Sequence, residues 1–261
     1  MIPDLARRPL VLDIDGVLRH GRRGAPGLER FLAAIDGRPW VCLTNNSMHS
    51  AHACSVQLAE LGASVPEDRI VSVTDVATDF LRRAWPDGGA ALVIGTADFR
   101  AAVRAAGLEV VASRADVVVL GLDLDLAVRG LGPALQALRG GARLVAANAD
   151  PLLVTEAGLL PGTGMLLAAL RAASSVEPEL LGKPSRLIFD VALRRLGAAG
   201  PEVVVVGDSL SSDIAGGRAV GAATVLVQNG VTTANAVLNP RPDLIVSGLE
   251  ALTDLLAGGP S

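Results

Sequence analysis

Leu10-Val-Leu-Asp-Ile-Asp-Gly-Val-Leu18 is an apolar run broken by two acids, and the fold is decided by how it is read. Leu10, Val11 and Leu12 have the unbroken hydrophobicity of a strand buried on both faces of a parallel sheet, and such sheets place their chemistry just beyond the carboxyl ends of the strands. Asp13 and Asp15 then stand at that edge. Side chains alternate along an extended chain, so both carboxylates point the same way, and Gly16 lets the backbone turn directly after them. Carboxylates held this close repel each other, which suits a bound cation or a shared proton. A strand followed by an acidic turn accounts for the same residues equally well, because Asp-Gly is a common turn dipeptide.

Composition narrows the setting. A chain of 261 residues can bury a large core, as one large domain or two modest ones, and its 50% apolar content, rich in Ala, Leu and Val, fits α/β layering. With 23 basic and 27 acidic residues the net charge is −4, so no electrostatic footprint for nucleic acid is present. Two Trp, four Phe and no Tyr also deny it the aromatic platforms of a single-strand binder. Neither a signal-like apolar segment at the N-terminus nor a run of about 18 apolar residues occurs, so a soluble, cytoplasmic protein without membrane partners is expected. Cys42 and Cys54 lie in apolar patterns and read as small buried hydrophobes of a reducing compartment. His49, His52 and Cys54 superficially resemble metal ligands, but their spacing favours a solvated helix face.

Outward from the first strand, Val17 to Gly27 is rich in Gly and Arg and predicts a loop or small hairpin, whose Arg19, His20, Arg22 and Arg23 either draw in an anion or are simply solvated. Leu28 to Ile35 predicts a helix and Trp40 to Leu43 a strand. That strand ends in Thr44-Asn-Asn-Ser47, which offers donors to a phosphate near a helix start, or else an ordinary N-cap on Asn46 or Ser47 for a helix reaching Leu61. The α/β pattern restarts near Val71: helices over Asp75–Ala84, Asp98–Ala106 and Ala127–Leu138, and strands over Ala91–Ile94, Glu109–Ala112, Val117–Leu120 and Arg143–Ala147. In the last third, Lys183 stands alone in Leu180-Leu-Gly-Lys-Pro184. Val203 to Val206 reads as a buried central strand ending in Gly207-Asp-Ser-Leu-Ser-Ser-Asp213. There Asp213 has an alternative as the N-cap of the helix through Val220, and Asp208 has none so simple.

Four ordered motifs, Asp13-Ile-Asp-Gly-Val-Leu18, Thr44-Asn-Asn46, Gly182-Lys-Pro184 and Gly207-Asp-Ser-Leu-Ser-Ser-Asp213, make the chain resemble the haloacid dehalogenase superfamily of phosphohydrolases. The long segment between Thr44 and Lys183, with Asn148-Ala-Asp150 and Pro161-Gly-Thr-Gly164, is similar to subfamily IIA, the group of 4-nitrophenylphosphatases and phosphoglycolate phosphatases with a C2-type α/β cap. The resemblance implies a Rossmann-like core with a parallel sheet, made of residues 1–72 and 177–261, and an inserted α/β cap domain over residues 73–176.

It also implies roles that these side chains can physically perform. Asp13 would be the nucleophile that forms an aspartyl-phosphate, and Asp15 the acid and then the base. Thr44, Asn45 and Lys183 would hold the phosphoryl oxygens. Mg²⁺ would bind Asp13, the Asp15 carbonyl and Asp208, with Asp213 orienting a metal-bound water or Lys183. Asp13, Asp15 and Asp208 would converge with no arginine in the motifs to balance them. Asp15 favours a phosphatase over the dehalogenase, phosphonatase and transport-ATPase branches, which usually lack an acid there.

The competing possibility is a catalytically weak phosphosugar-binding or regulatory module, which would be expected to have lost one of Asp13, Asp15, Lys183 or Asp208. All four are present. The flap, Arg19-His-Gly21, and the segment Leu124 to Val128 both lack the aromatic residue often found in relatives, which leaves the substrate open. The cap residues implied in specificity are Asn148, Asp150 and Leu153. Relatives that act on pyridoxal phosphate carry a His near the position of Leu153, so the expected substrate is a small phosphomonoester: glycerol phosphate or phosphoglycolate, with sugar phosphates and nucleoside monophosphates as competitors. A homodimer through the cap is the oligomer that the resemblance implies.

Overall fold

The computed structural model describes residues 2–155, 158–228 and 239–258. By its internal contacts the chain divides into two units, one of Met1–Thr44, His52–Val71 and Lys183–Ser261, the other of Asn45–Ala51 and Ser72–Gly182. Boundaries drawn from the sequence at 72/73 and 176/177 assign Asn45–Ala51 and 177–182 differently.

The first unit is built on a six-stranded sheet in the order Leu244–Val246, Ala223–Val227, Val204–Gly207, Leu10–Asp13, Trp40–Thr44, Ile70–Ser72. The pairs from Leu244–Val246 through to Trp40–Thr44 are parallel, with Leu10 in register with both Val204 and Trp40. All four residues of Leu10–Asp13 are buried, as are those of Val204–Gly207, which explains their continuous apolar pattern. From Leu10–Asp13 the chain adds strands on one side as far as Ile70–Ser72, then resumes on the other side with Val204–Gly207. The order therefore reverses between these two strands, and at such a switch point the carboxyl ends open into a crevice.

Local sequence sets the helix limits. Arg186–Leu196 starts on Ser185, whose hydroxyl accepts the Leu187 N–H, and stops at Gly197 in the left-handed conformation. The segment after Gly16 forms the small antiparallel hairpin Arg19–His20 with Arg23–Gly24. Asp213 is not an N-cap. Ser209 caps a wide π-helical turn, Leu210–Ile214, and Asp213 lies inside it. Cys42 and Cys54 are buried and not joined in a disulfide, and burial, helped by Asp13, pushes the Cys42 thiol upward. His52 pairs with Glu67 on the surface at 3.1 Å.

The second unit has its own five-stranded parallel sheet, Glu179–Leu180, Arg143–Ala146, Val117–Leu120, Ala90–Ile94, Glu109–Val110, and an antiparallel hairpin, Leu152–Thr155 with Gly158–Pro161. Its core gathers Leu120, Leu138, Leu144, Leu167 and Leu170 from sheet and helices. Each fully buried leucine contributes about 1.5–3 kcal/mol through its removal from water. Ser72 and Asp75 form a capping box for the helix Val73–Ala84.

The single helix expected over Ala127–Leu138 is instead a 3₁₀ turn, Val128–Leu131, followed by the helix Gly132–Arg139. Pro133 in the first turn explains the break, since it has no N–H to continue an α-helical ladder from upstream. Neither Asn46 nor Ser47 caps the helix Ala51–Glu60. Asn46 Oδ1 accepts the Met48 N–H, and Ser47 Oγ accepts the Leu122 N–H at 3.0 Å, at the carboxyl edge of the second sheet. Thr96 Oγ1 adds a bond to the Met48 carbonyl at 3.2 Å. No helix among the described residues is long and apolar enough to cross a membrane.

Candidate active site

The site in the first unit is assembled from strand ends around the switch point. Asp13 ends Leu10–Asp13, Thr44 ends Trp40–Thr44, and Asp208 directly follows Val204–Gly207. Lys183 comes from just ahead of the helix Arg186–Leu196, and Asp213 from the π-helical turn. All five are buried.

Lys183 binds these pieces together. Its Nζ donates to Asp13 Oδ1 at 2.5 Å and to Asp213 Oδ1 at 2.7 Å, and it reaches the Leu43 carbonyl at 3.4 Å. Burial alone would lower the lysine pKa, but the two carboxylates overcome it and hold the ammonium charged. For Asp13, burial pushes the carboxyl well above the usual carboxylate range. Lys183 opposes that rise, while Asp213 and Asp208 add to it. Lys183 thus meets two members of a cluster of three acids, since Asp13, Asp208 and Asp213 have carboxylate oxygens within 4.8 Å of one another.

A purely oxygen donor set carrying this surplus of negative charge fits a hard divalent cation. The backbone supports that fit. Gly16 has φ +98, and a Cβ there would lie 2.0 Å from Asp208 Oδ2, so only glycine lets the turn after Asp15 pass beside that carboxylate. Gly207 is needed for space: its Cβ would stand 2.2 Å from Asp213 Cγ. The wide turn also has Asp213 Oδ2 accept the Ser209 N–H at 3.1 Å, which leaves Oδ1 for Lys183.

Asp15 differs from its neighbours. Its side chain is 48% exposed and is paired with Arg19, whose Nε lies 2.8 Å from Asp15 Oδ1. The expectation that no arginine balances the acids is therefore corrected: Arg19 folds back across the Gly16 turn to do so. The only signal in the sequence was a cation directly after the buried Val17 and Leu18. Of the other residues singled out, Asn45 belongs to the second unit, where its Nδ2 donates to Asp150 Oδ2 at 2.9 Å and its carbonyl accepts Asn148 Nδ2 at 2.7 Å. Asn148 Oδ1 in turn accepts the Asp150 N–H, so Asn45, Asn148 and Asp150 form one network. Leu153 is half-buried on the hairpin, opposite Leu160.

Replacing Lys183 by Met removes the ammonium while keeping most of the side-chain volume, leaving Asp13 and Asp213 as uncompensated buried charges. Breaking such a pair costs about 3–5 kcal/mol. The loss should be largest at neutral pH and shrink on acidification, because the Asp13 carboxyl, already raised, is then favoured as the neutral acid in the folded state. Urea unfolding in EDTA from about pH 5 to about pH 8 measures this. A Lys183→Met midpoint equal to wild type across that range would contradict it.

Residues 10–109 match the family model described as haloacid dehalogenase-like hydrolase, and residues 180–252 match a second described as HAD-hydrolase-like. A D-glycerol 3-phosphate phosphatase of Mycobacterium tuberculosis is 36% identical over 228 residues, 86% of this chain, which spans 64% of that relative's length. The dihydroxyacetone phosphatase of Corynebacterium glutamicum is 30% identical over 246 residues, covering 93% of this chain and 89% of the relative. Among solved structures, a glycerol phosphate phosphatase from Mycobacterium tuberculosis in complex with magnesium has a TM-score of 0.86 at 33% identity, over 98% of this chain and 82% of that one. With both sheets, the buried acid cluster and these matches together, the chain belongs to the haloacid dehalogenase-like hydrolases, in subfamily IIA of their phosphoric monoester hydrolases.

Proposed function

We propose that the chain hydrolyses small phosphomonoesters with Mg²⁺, using Asp13 as nucleophile and Asp15 as acid and base. The observation that carries this is the buried group of Asp13, Asp208 and Asp213 closed by Lys183, which combines a nucleophile, a cation site and a fixed ammonium. Asp13, Asp208 and the Asp15 carbonyl would hold Mg²⁺, with Asp213 orienting Lys183. A cation held there would offset the repulsion between Asp13 and an incoming phosphate dianion.

An Asp13 carboxylate oxygen forms a bond to phosphorus as the bond to the leaving oxygen breaks. The leaving oxygen keeps the electron pair and takes the proton of Asp15. Asp15, now a carboxylate, removes a proton from water as the water oxygen bonds to phosphorus. The bond from phosphorus to Asp13 then breaks and returns its electron pair to Asp13, leaving an alcohol, inorganic phosphate and both side chains as they began. Thr44 and Lys183, with the Asn45 backbone N–H, hold the phosphoryl oxygens through these steps.

Asp13→Asn keeps the shape and removes the nucleophile, so it should fold and lose nearly all phosphate release. Mg²⁺ should raise the melting temperature of wild type by binding linkage, and far less in Asp208→Ala. Full activity of Asp13→Asn, or of wild type in excess EDTA, would sink the mechanism. Equal Mg²⁺ shifts in both proteins would remove Asp208 from the cation's ligands.

Residues 73–176 serve in this proposal as the cap, and Asn148, Asp150 and Leu153 as its selective residues. Leu153 has no group to pair with a polar ring substituent, and leaving such a substituent unpaired discriminates strongly against it. Relatives named as D-glycerol 3-phosphate phosphatase, dihydroxyacetone phosphatase, 5'-nucleotidase and acid sugar phosphatase support a small phosphomonoester, and among these Leu153 favours an aliphatic one. Specificity constants on glycerol phosphate, phosphoglycolate, a nucleoside monophosphate and pyridoxal phosphate should rank the first two highest, and Leu153→His should shift the ratio toward pyridoxal phosphate. A wild type that prefers pyridoxal phosphate contradicts the assignment, and unchanged ratios in Leu153→His make that residue structural only.

A further inference from the structure

Among the motif acids of the first unit, Asp15 is the one outside the buried cluster, with nearly half of its side chain exposed. An exposed carboxylate on a turn has several rotamers open to it, whereas proton transfer needs a single orientation held through two steps. The restraint comes from Arg19. Its side chain is only 7% exposed, its Nε donates to Asp15 Oδ1 at 2.8 Å, and its Nη1 donates to Gln57 Oε1 at 2.7 Å from the helix Ala51–Glu60.

The arginine backbone is equally fixed. Its N–H donates to the Ile14 carbonyl, its carbonyl accepts the Gly16 N–H, and it pairs with Gly24 in the hairpin. Burial would lower the guanidinium pKa, but the Asp15 carboxylate more than reverses that, so the group is a permanent cation. A half-exposed ion pair adds little to stability, so stability alone gives no reason to desolvate an arginine for Asp15. A directional, two-ended clamp does, because the planar guanidinium fixes both partners at once.

We propose that Arg19, braced by Gln57, is a positioning residue that holds the Asp15 carboxyl group in its proton-transfer orientation, with Oδ1 bound to Arg19 and Oδ2 turned to the reacting oxygens. This rests on the reading of Asp15 as acid and base. In this role the arginine acts through Asp15.

The test uses Arg19→Met, Gln57→Leu and Asp15→Asn in the full chain with Mg²⁺, on glycerol phosphate, a poor leaving group, and on 4-nitrophenyl phosphate, whose leaving group departs without a proton. For Arg19→Met, kcat on glycerol phosphate should fall roughly 10- to 100-fold with KM nearly unchanged, a part of what acid–base catalysis supplies. On 4-nitrophenyl phosphate the first turnover should stay fast while water attack is slowed. Rapid mixing should then show a burst of nitrophenolate equal to the enzyme concentration, absent from wild type. Gln57→Leu should show the same pattern in milder form, which keeps the test open if Arg19→Met does not fold. Wild-type kinetics in both Arg19→Met and Gln57→Leu, or equal losses on both substrates without a burst, overturn the proposal while Asp15→Asn remains inactive. Full turnover by Asp15→Asn instead overturns the assignment of Asp15, and the role of Arg19 with it.

Discussion

The salt bridge from Lys183 to Asp13 and Asp213 is the constraint on which the first unit depends. The chain leaves that unit after Thr44, rejoins it over His52–Val71, and makes its last return at Lys183, the residue that carries the ammonium. Two buried carboxylates fix where that residue must sit. Such buried pairs add little net stability over well-packed apolar side chains, since desolvation consumes most of the Coulombic gain. What this one secures is geometry: a nucleophile candidate held at one oxygen, beside two further acids, at the edge where the strand order reverses.

That geometry needs backbone conformations that few residues allow. The turn after Asp15 passes so close to Asp208 that any side chain at position 16 would displace the carboxylate, and Gly207 makes room for Asp213 in the same way. The strands, by contrast, need only bulk apolar side chains. The demanding positions are concentrated in the few residues that follow each strand, which is why the chemistry is readable there.

Much of the core was legible in the sequence for this reason. Leu10 to Asp13 and Val204 to Asp208 join continuous apolar runs to abrupt polar ends, and both take up the expected central, parallel positions. What escaped depended on contacts that leave no periodic mark. Asp213 reads as a helix cap because it stands just before helical Ala215, yet the helix begins with a wide turn in which Ser209 donates its N–H to Asp213 Oδ2 and accepts the Asp213 and Ile214 N–H groups at its carbonyl. Asn46 and Ser47 likewise look like caps, but Ser47 is used by the Leu122 backbone far along the chain. Arg19 looked like one charge in a basic loop because its partners lie across a tight turn and on a separate helix.

The central claim is that phosphorus is attacked twice, first by Asp13 and then by water. The stereochemistry at phosphorus reports this directly, because each in-line displacement inverts the configuration. Hydrolysis of a thiophosphate monoester made chiral with two oxygen isotopes, in water carrying the third, should give chiral inorganic thiophosphate with overall retention. Overall inversion would mean a single direct attack by water, and would contradict the account of Asp13 as nucleophile.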